Sequence, residues 1–163
     1  MSLATDSIFV TALQSNSDLL EKLTEYIDDD GNIQYDETPR LYGTAIGLPD
    51  EDADNVPVPY VIVTFDGLTN DHGSKDDRYE SENDTVNIGV EVTARTLDDL
   101  HTLTQMVRDT ILSYLRTNDT AIEDYQFAAQ QIQYDSLKPC YWQVLTYQCD
   151  VRNLLNEEND EQD

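Results

Sequence analysis

Positive charge is what this 163-residue sequence has least of: nine Lys and Arg stand against 34 Asp and Glu, a formal net charge of −25. A field of that sign repels phosphates at long range, which excludes nucleic-acid binding through the general surface. Cysteine is scarce too. The two present, Cys140 and Cys149, suggest synthesis in a reducing compartment. Their odd separation would turn them to opposite faces of one strand, where they could not bridge. Neither has a His beside it, which disfavours a catalytic thiol. No window reaches the roughly 18 continuous apolar residues of a membrane span. The start, MSLATDSIF, lacks the basic opening and apolar run of a signal peptide, so the expectation is a soluble protein not exported by that route. Also missing are G-x-S-x-G, H-E-x-x-H, a Walker loop and G-x-G-x-x-G. Carboxylate pairs are so common here that they say nothing about acid–base catalysis. Ten Tyr could stack on bases, but no basic groove accompanies them. The expectation is a scaffold with no catalytic, metal or cofactor site.

The acidity itself has three readings. Disorder fits poorly with the periodic segments described next. An acidic mimic of DNA that binds basic partners is the second. Adaptation to high salt is the third, since screening shortens the reach of self-repulsion and a carboxylate-rich surface stays soluble. There are 23 Asp to 11 Glu and 3 Lys to 6 Arg, spread along the chain. That usage resembles proteins of salt-loving archaea and favours the third reading.

Residues 84–115 organise the rest. Val86, Ile88, Val90, Val92 and Ala94 alternate with polar residues, the period-two pattern of a strand with one apolar face. The period then changes. Thr96 is placed to cap a helix whose first turn holds Asp98 and Asp99, where the dipole favours negative charge. Leu100, Leu103, Val107, Ile111 and Tyr114 form one stripe along about five turns. The two apolar faces are expected to cover each other.

Around this core the chain reads in order as follows. Residues 4–14 and 18–27 are expected as helices, the first with Ile8, Ala12 and Leu13 on its apolar side, the second capped by Ser17 and striped by Leu19, Leu20, Leu23 and Ile27. The run Asp28-Asp29-Asp30-Gly31-Asn32-Ile33 to Glu37 has some offsets of a calcium loop. Tyr26 falls at the first ligand position and Pro39 where the exiting helix should begin, so an acidic turn ending a helix is preferred and no metal site is expected. Residues 40–48 form a short strand, and Tyr60 to Phe65 a strand buried on both faces or central in the sheet. Residues 66–84 make a polar loop with seven acids and two bases, longer than a hairpin needs. His72 within it and His101 on the long helix stand without companion ligands. Residues 124–134 make a Gln-rich edge or contact strand and residues 141–152 the last strand. Tyr125, Phe127 and Trp142 mark a surplus of apolar surface on that hairpin, which suits a subunit contact. Residues 156–163 carry five acids and no base and read as a solvated tail. The resulting fold is α+β: a mainly antiparallel sheet of four to five strands with a long amphipathic helix on one face and an N-terminal helical segment. Residues 1–155 are expected as one domain.

The order of these elements resembles the tail-terminator, or tail-completion, proteins of tailed viruses. The resemblance rests on V-P-V-P-Y-V-I-V-T-F at 56–65, the long polar loop, V-N-I-G-V-E-V-T-A-R at 86–95 with its immediate helix, and the closing Tyr/Gln-rich hairpin. With the salt-adapted composition it points to a virus of a halophilic archaeon. The resemblance implies a subunit that assembles with itself into a ring, hexameric as a rule, located in the virion tail or neck and assembled in the host cytoplasm. The ring would cap the last ring of tail-tube protein, end tube growth and present a surface to a head-side neck or connector protein. Genomic DNA would pass through an acidic lumen without sequence-specific contacts and without adhering. The loop 66–84 would then reach the tube or the lumen, making Asp66, Asp71, Lys75, Asp76, Asp77, Arg78 and Tyr79 candidate contacts beside Tyr125, Phe127 and Trp142. The heavy acidity and the acidic tail depart from the family pattern. Alternatives are a head-completion or stopper neck protein, an acidic DNA-mimic inhibitor, and an enzyme built around His72 or His101.

Overall fold

A computed structural model describes residues 2–49, 56–70 and 83–152. After a single 3-10 turn come helix α1 (Thr5–Gln14) and helix α2 (Ser17–Lys22), then strands β1 (Glu25–Ile27), β2 (Ile33–Tyr35), β3 (Leu41–Gly43), β4 (Tyr60–Thr69) and β5 (Asn83–Ala94). Helix α3 (Leu97–Thr117) follows β5 directly, and β6 (Ile122–Ala129), β7 (Gln133–Asp135) and β8 (Cys140–Arg152) complete the chain. Strands β1 and β2 form a separate hairpin. The main sheet has six strands in the order β3-β4-β5-β8-β6, with β7 also on β8. It exceeds the expected four or five strands because the segment expected as one strand over 124–134 forms two, β6 and the three-residue β7. All its pairings are antiparallel except β3 on β4.

The strand-to-helix join forms as the periodicity demands. Thr96 Oγ1 accepts the Asp99 amide at 3.1 Å, capping α3, and Asp98 and Asp99 lie in its first turn. Leu100, Leu103, Val107 and Ile111 are buried along one stripe, against Val86, Ile88, Val90 and Val92, each 0% exposed. Burying a side chain of this size contributes about 1.5–3 kcal/mol, so this stripe supplies a large share of the driving force. Across the sheet, Phe65, Ile88, Tyr147 and Phe127 share one register row and Leu68, Val86, Cys149 and Tyr125 another. Helix α1 packs on the same side: the Phe9 ring meets Tyr147 edge-on with centroids 5.0 Å apart. Both long helices therefore cover one face of the sheet.

Several sequence expectations are corrected. The second helix ends at Lys22 rather than residue 27, and its cap is Asn16, which accepts the Asp18 and Leu19 amides, not Ser17. Asn16 Nδ2 also donates to Thr110 Oγ1 at 2.8 Å, tying α2 to α3. Glu25–Ile27 leaves the helix because it pairs with Ile33–Tyr35. The acidic run is the turn of that hairpin: Asp28 Oδ1 accepts the amides of Asp30 and Asn32, and Gly31 supplies the positive φ of 83°. These backbone hydrogen bonds hold the Asp28 carboxyl below the ordinary Asp range, the Asn32 amide foremost. The strand expected over 40–48 is only Leu41–Gly43, and the one expected over 124–134 breaks at 130–132 into β6 and β7. The loop expected over 66–84 is shorter at both ends, since β4 continues to Thr69 and β5 begins at Asn83.

One residue joins the hairpin to the sheet. Arg40, 3% exposed, donates through Nε to Pro59 O at 3.0 Å and through Nη1 to Thr24 O at 3.2 Å. It also donates to Glu25 O and to the Asp36 carboxylate. One planar guanidinium thus serves three carbonyls and a carboxylate, Thr24 O also accepting the Asp36 amide, a geometry Lys cannot reproduce.

Candidate contact surface

The face of the sheet turned away from the helices is built by the alternate residues of the same strands. Tyr42, Ile62, Glu91 and Val144 share one register row, and Tyr60, Thr93 and Trp142 the next. Thr64, Gly89, Thr146 and Ala128 form a third. No described helix lies on this face, and Ile62, Trp142 and Val144 are half-buried with part of each side chain open.

Glu91 sits within this apolar setting, and burial pushes its carboxyl above the ordinary Glu range. Burial likewise raises the Tyr60 phenol, with a smaller contribution in the same direction from the Glu91 carboxylate. The Lys138 ammonium lies 5.5 Å from the Tyr60 ring centroid and donates to Val56 O. Cation–π placement of this kind contributes about 0.5–1 kcal/mol at open sites.

The sequence candidates separate onto different parts of the fold. Asp66 is not in a loop but is the extra residue of a bulge in β4, where the register shifts between Phe65 and Gly67. Its carboxylate folds over Gly89 on the outer face and accepts from Thr64 Oγ1 at 2.9 Å. Trp142 lies on this same face. Tyr125 and Phe127 lie on the helix side, their rings 5.4 and 5.2 Å from that of Tyr147. Phe127 also carries the Arg108 guanidinium 4.0 Å from its centroid. Both rings pack on Tyr147 and remain half-buried, with part of each side chain open. Asp71, Lys75, Asp76, Asp77, Arg78 and Tyr79 lie outside the described residues, as do His72 and the 156–163 tail.

Chemistry is sparse elsewhere. His101 is exposed on α3. Both cysteines are free and buried, with Cys149 pushed up to about 12 by burial and Cys140 raised by the same cause, so neither is a ready nucleophile. Among the described residues no three His, Cys, Asp or Glu gather as a metal ion would require. No helix among them is long and apolar enough to cross a membrane.

Sequence reasoning missed the β1–β2 hairpin and the cleft beneath it. The cleft, about 240 Å³, lies between the hairpin, the Val58–Pro59 segment and the start of α3. The available signal was Asp30-Gly31 between Ile27 and Ile33, a turn dipeptide flanked by alternating residues.

The class these features define is an α+β open-sheet protein whose outer sheet face carries no helix among the described residues. No family model and no curated protein matches the chain. Among solved structures it is similar to the bacteriophage SPP1 gp17 protein, at 16% identity and a TM-score of 0.44, over 93% of this chain and 91% of that one.

Proposed function

We propose that this chain is a structural subunit of a virus tail or neck that assembles with copies of itself into a ring, in the manner of a tail terminator. The observation that carries the proposal is the outer face of the sheet, on which no described helix lies. A long sheet whose second face combines Ile62, Trp142 and Val144 with a desolvated Glu91 is suited to contact with another protein surface. The element order that underlies the family resemblance supports the same reading, for the strand at 60–69, the strand at 83–94 and the helix that follows it are all in place.

In this reading the ring, of six copies by family analogy, caps the tail-tube protein and meets a head-side neck protein. Asp66 and Trp142 are contact residues on the outer face, joined by the loop between β4 and β5. Tyr125 and Phe127 support the face from behind by fixing Tyr147. The acidic surface keeps the ring soluble in the high salt of a halophilic host and keeps DNA from adhering to its lumen. Electron microscopy of the protein in molar KCl tests this. Rings with a central hole are expected, together with their loss in Ile62→Lys or Val144→Lys variants that retain a folded circular-dichroism spectrum. Dispersed single subunits at every salt concentration would overturn the proposal.

A further inference from the structure

The cleft under the β1–β2 hairpin belongs to none of the surfaces assigned above. Tyr26, Ile27, Ile33, Pro59 and Leu103 form its apolar lining. Ile27 and Ile33 remain 45% and 61% exposed, and Tyr35 beside them 62%. At about 240 Å³ the cleft falls below the roughly 300–1,000 Å³ of small-molecule pockets, a size suited to peptide side chains.

Its rim carries two of the few cations. Lys22 and Arg95 line it, and neither makes an ion pair among the described residues. Of the acids on the same rim, Asp99 lies in the first turn of α3, where the helix dipole already favours its charge. Glu25 is the other. An occupant that matches this surface has one or two large apolar side chains followed by carboxylates.

The chain contains such a segment. Beyond Arg152 comes N-L-L-N-E-E-N-D-E-Q-D at 153–163, two leucines and then five acids without a base. Where β8 ends decides between its own cleft and another. Arg152 pairs with Asn83, at the opposite end of the β5–β8 ladder from Ala94, which lines the cleft. At ~3.3 Å per residue that ladder is about 36 Å long, whereas Leu154 is at most ~7 Å of extended chain from Arg152. The leucines cannot reach the cleft of their own subunit.

We propose that the cleft between the β1–β2 hairpin and α3 receives Leu154 and Leu155 of a second copy of this chain, with the acids that follow set against Lys22 and Arg95. A tail leaving one end of the subunit and a cleft at the other make a head-to-tail contact, the kind that closes a ring when the rotation permits. The choice of a second copy as occupant rests on the ring reading; the cleft and its peptide chemistry do not.

Two measurements together test this. A chain ending at Arg152 keeps every described strand, and its mass in molar KCl is compared with that of the full chain by light scattering. A fluorescent peptide of residues 153–163 is then titrated into the shortened chain and followed by anisotropy. The expected results are loss of the assembled species on shortening, saturable peptide binding, at least tenfold weaker binding to Lys22→Glu/Arg95→Glu, and no binding of a Leu154→Ser/Leu155→Ser peptide. An assembly whose mass survives shortening, with no peptide bound, overturns the inference and leaves the ring standing. A full chain that is monomeric at every salt concentration while the peptide still binds overturns the ring and supports the cleft assignment.

Discussion

Removing the Arg40 guanidinium is the sharpest test of how the hairpin is held to the sheet. In Arg40→Met the carbonyls of Glu25 and Pro59 and the Asp36 carboxylate lose a donor, and the Thr24 carbonyl keeps only the Asp36 amide. A hydrogen bond involving a charged group contributes about 1.5–3 kcal/mol, and a simple sum over four would overshoot. The Asp36 side chain is 38% exposed and the hairpin lies at the surface, so water restores part of the loss. We expect about 3 kcal/mol of destabilisation, at the lower end of the 3–5 kcal/mol for breaking a buried charged pair. For a chain of this size that is a fall in Tm of roughly 6–12 °C. Arg40→Lys keeps the charge but cannot span all four acceptors, and should lose about 2 kcal/mol. Urea unfolding in molar KCl measures the total. Amide exchange locates it: protection should fall across Glu25–Ile27 and Ile33–Tyr35 and persist in β5. A loss below about 1 kcal/mol, or unchanged hairpin protection, would refute this role for Arg40.

Two glycines should respond differently to alanine. A Cβ on Gly43 would lie 2.6 Å from the Val63 backbone oxygen, so Gly43→Ala should cost roughly 1–3 kcal/mol in denaturant midpoint experiments. At Gly89 the nearest atom, at 2.4 Å, is the end of the Asp66 side chain, which can swing aside, so Gly89→Ala should change stability by less than about 1 kcal/mol. Asn16→Ala removes both the α2 cap and the link to Thr110 and should cost about 1–2 kcal/mol by thermal melting. Glu91 has a raised folded-state pKa, so its ionisation destabilises the fold above that pKa and the cost is relieved as pH falls toward the ordinary Glu range. Glu91→Gln should therefore be more stable than wild type at neutral pH, with the difference closing on acidification; an equal difference at every pH would contradict the assignment.

The core was legible because its signals are long and regular. Val86 to Ala94 alternates without interruption, and the stripe from Leu100 to Ile111 has no breaker, so period alone identified the strand, the helix and the face they share. The hairpin was hidden because Leu19, Leu20, Leu23 and Ile27 continue a helical spacing through a segment that tertiary contacts convert to strand, above all the hold of Arg40 on Thr24 and Glu25. The loop over 66–84 was overestimated because Gly67 and Asp66 look like loop residues, whereas together they make a bulge within β4. Tyr125 and Phe127 fall on the helix side and stay partly exposed, a placement not legible beforehand because period two tells which residues share a face but not which face the helices cover. Trp142 and Asp66 reached the outer face on alternation and on the bulge, respectively.

Self-assembly is read out by the mass of the purified full chain in molar KCl, measured by light scattering. A discrete species of about six times the 18.6 kDa chain is expected, dissociating or unfolding in dilute buffer as carboxylate repulsion is unscreened. A folded species of 18.6 kDa at every salt concentration would contradict it.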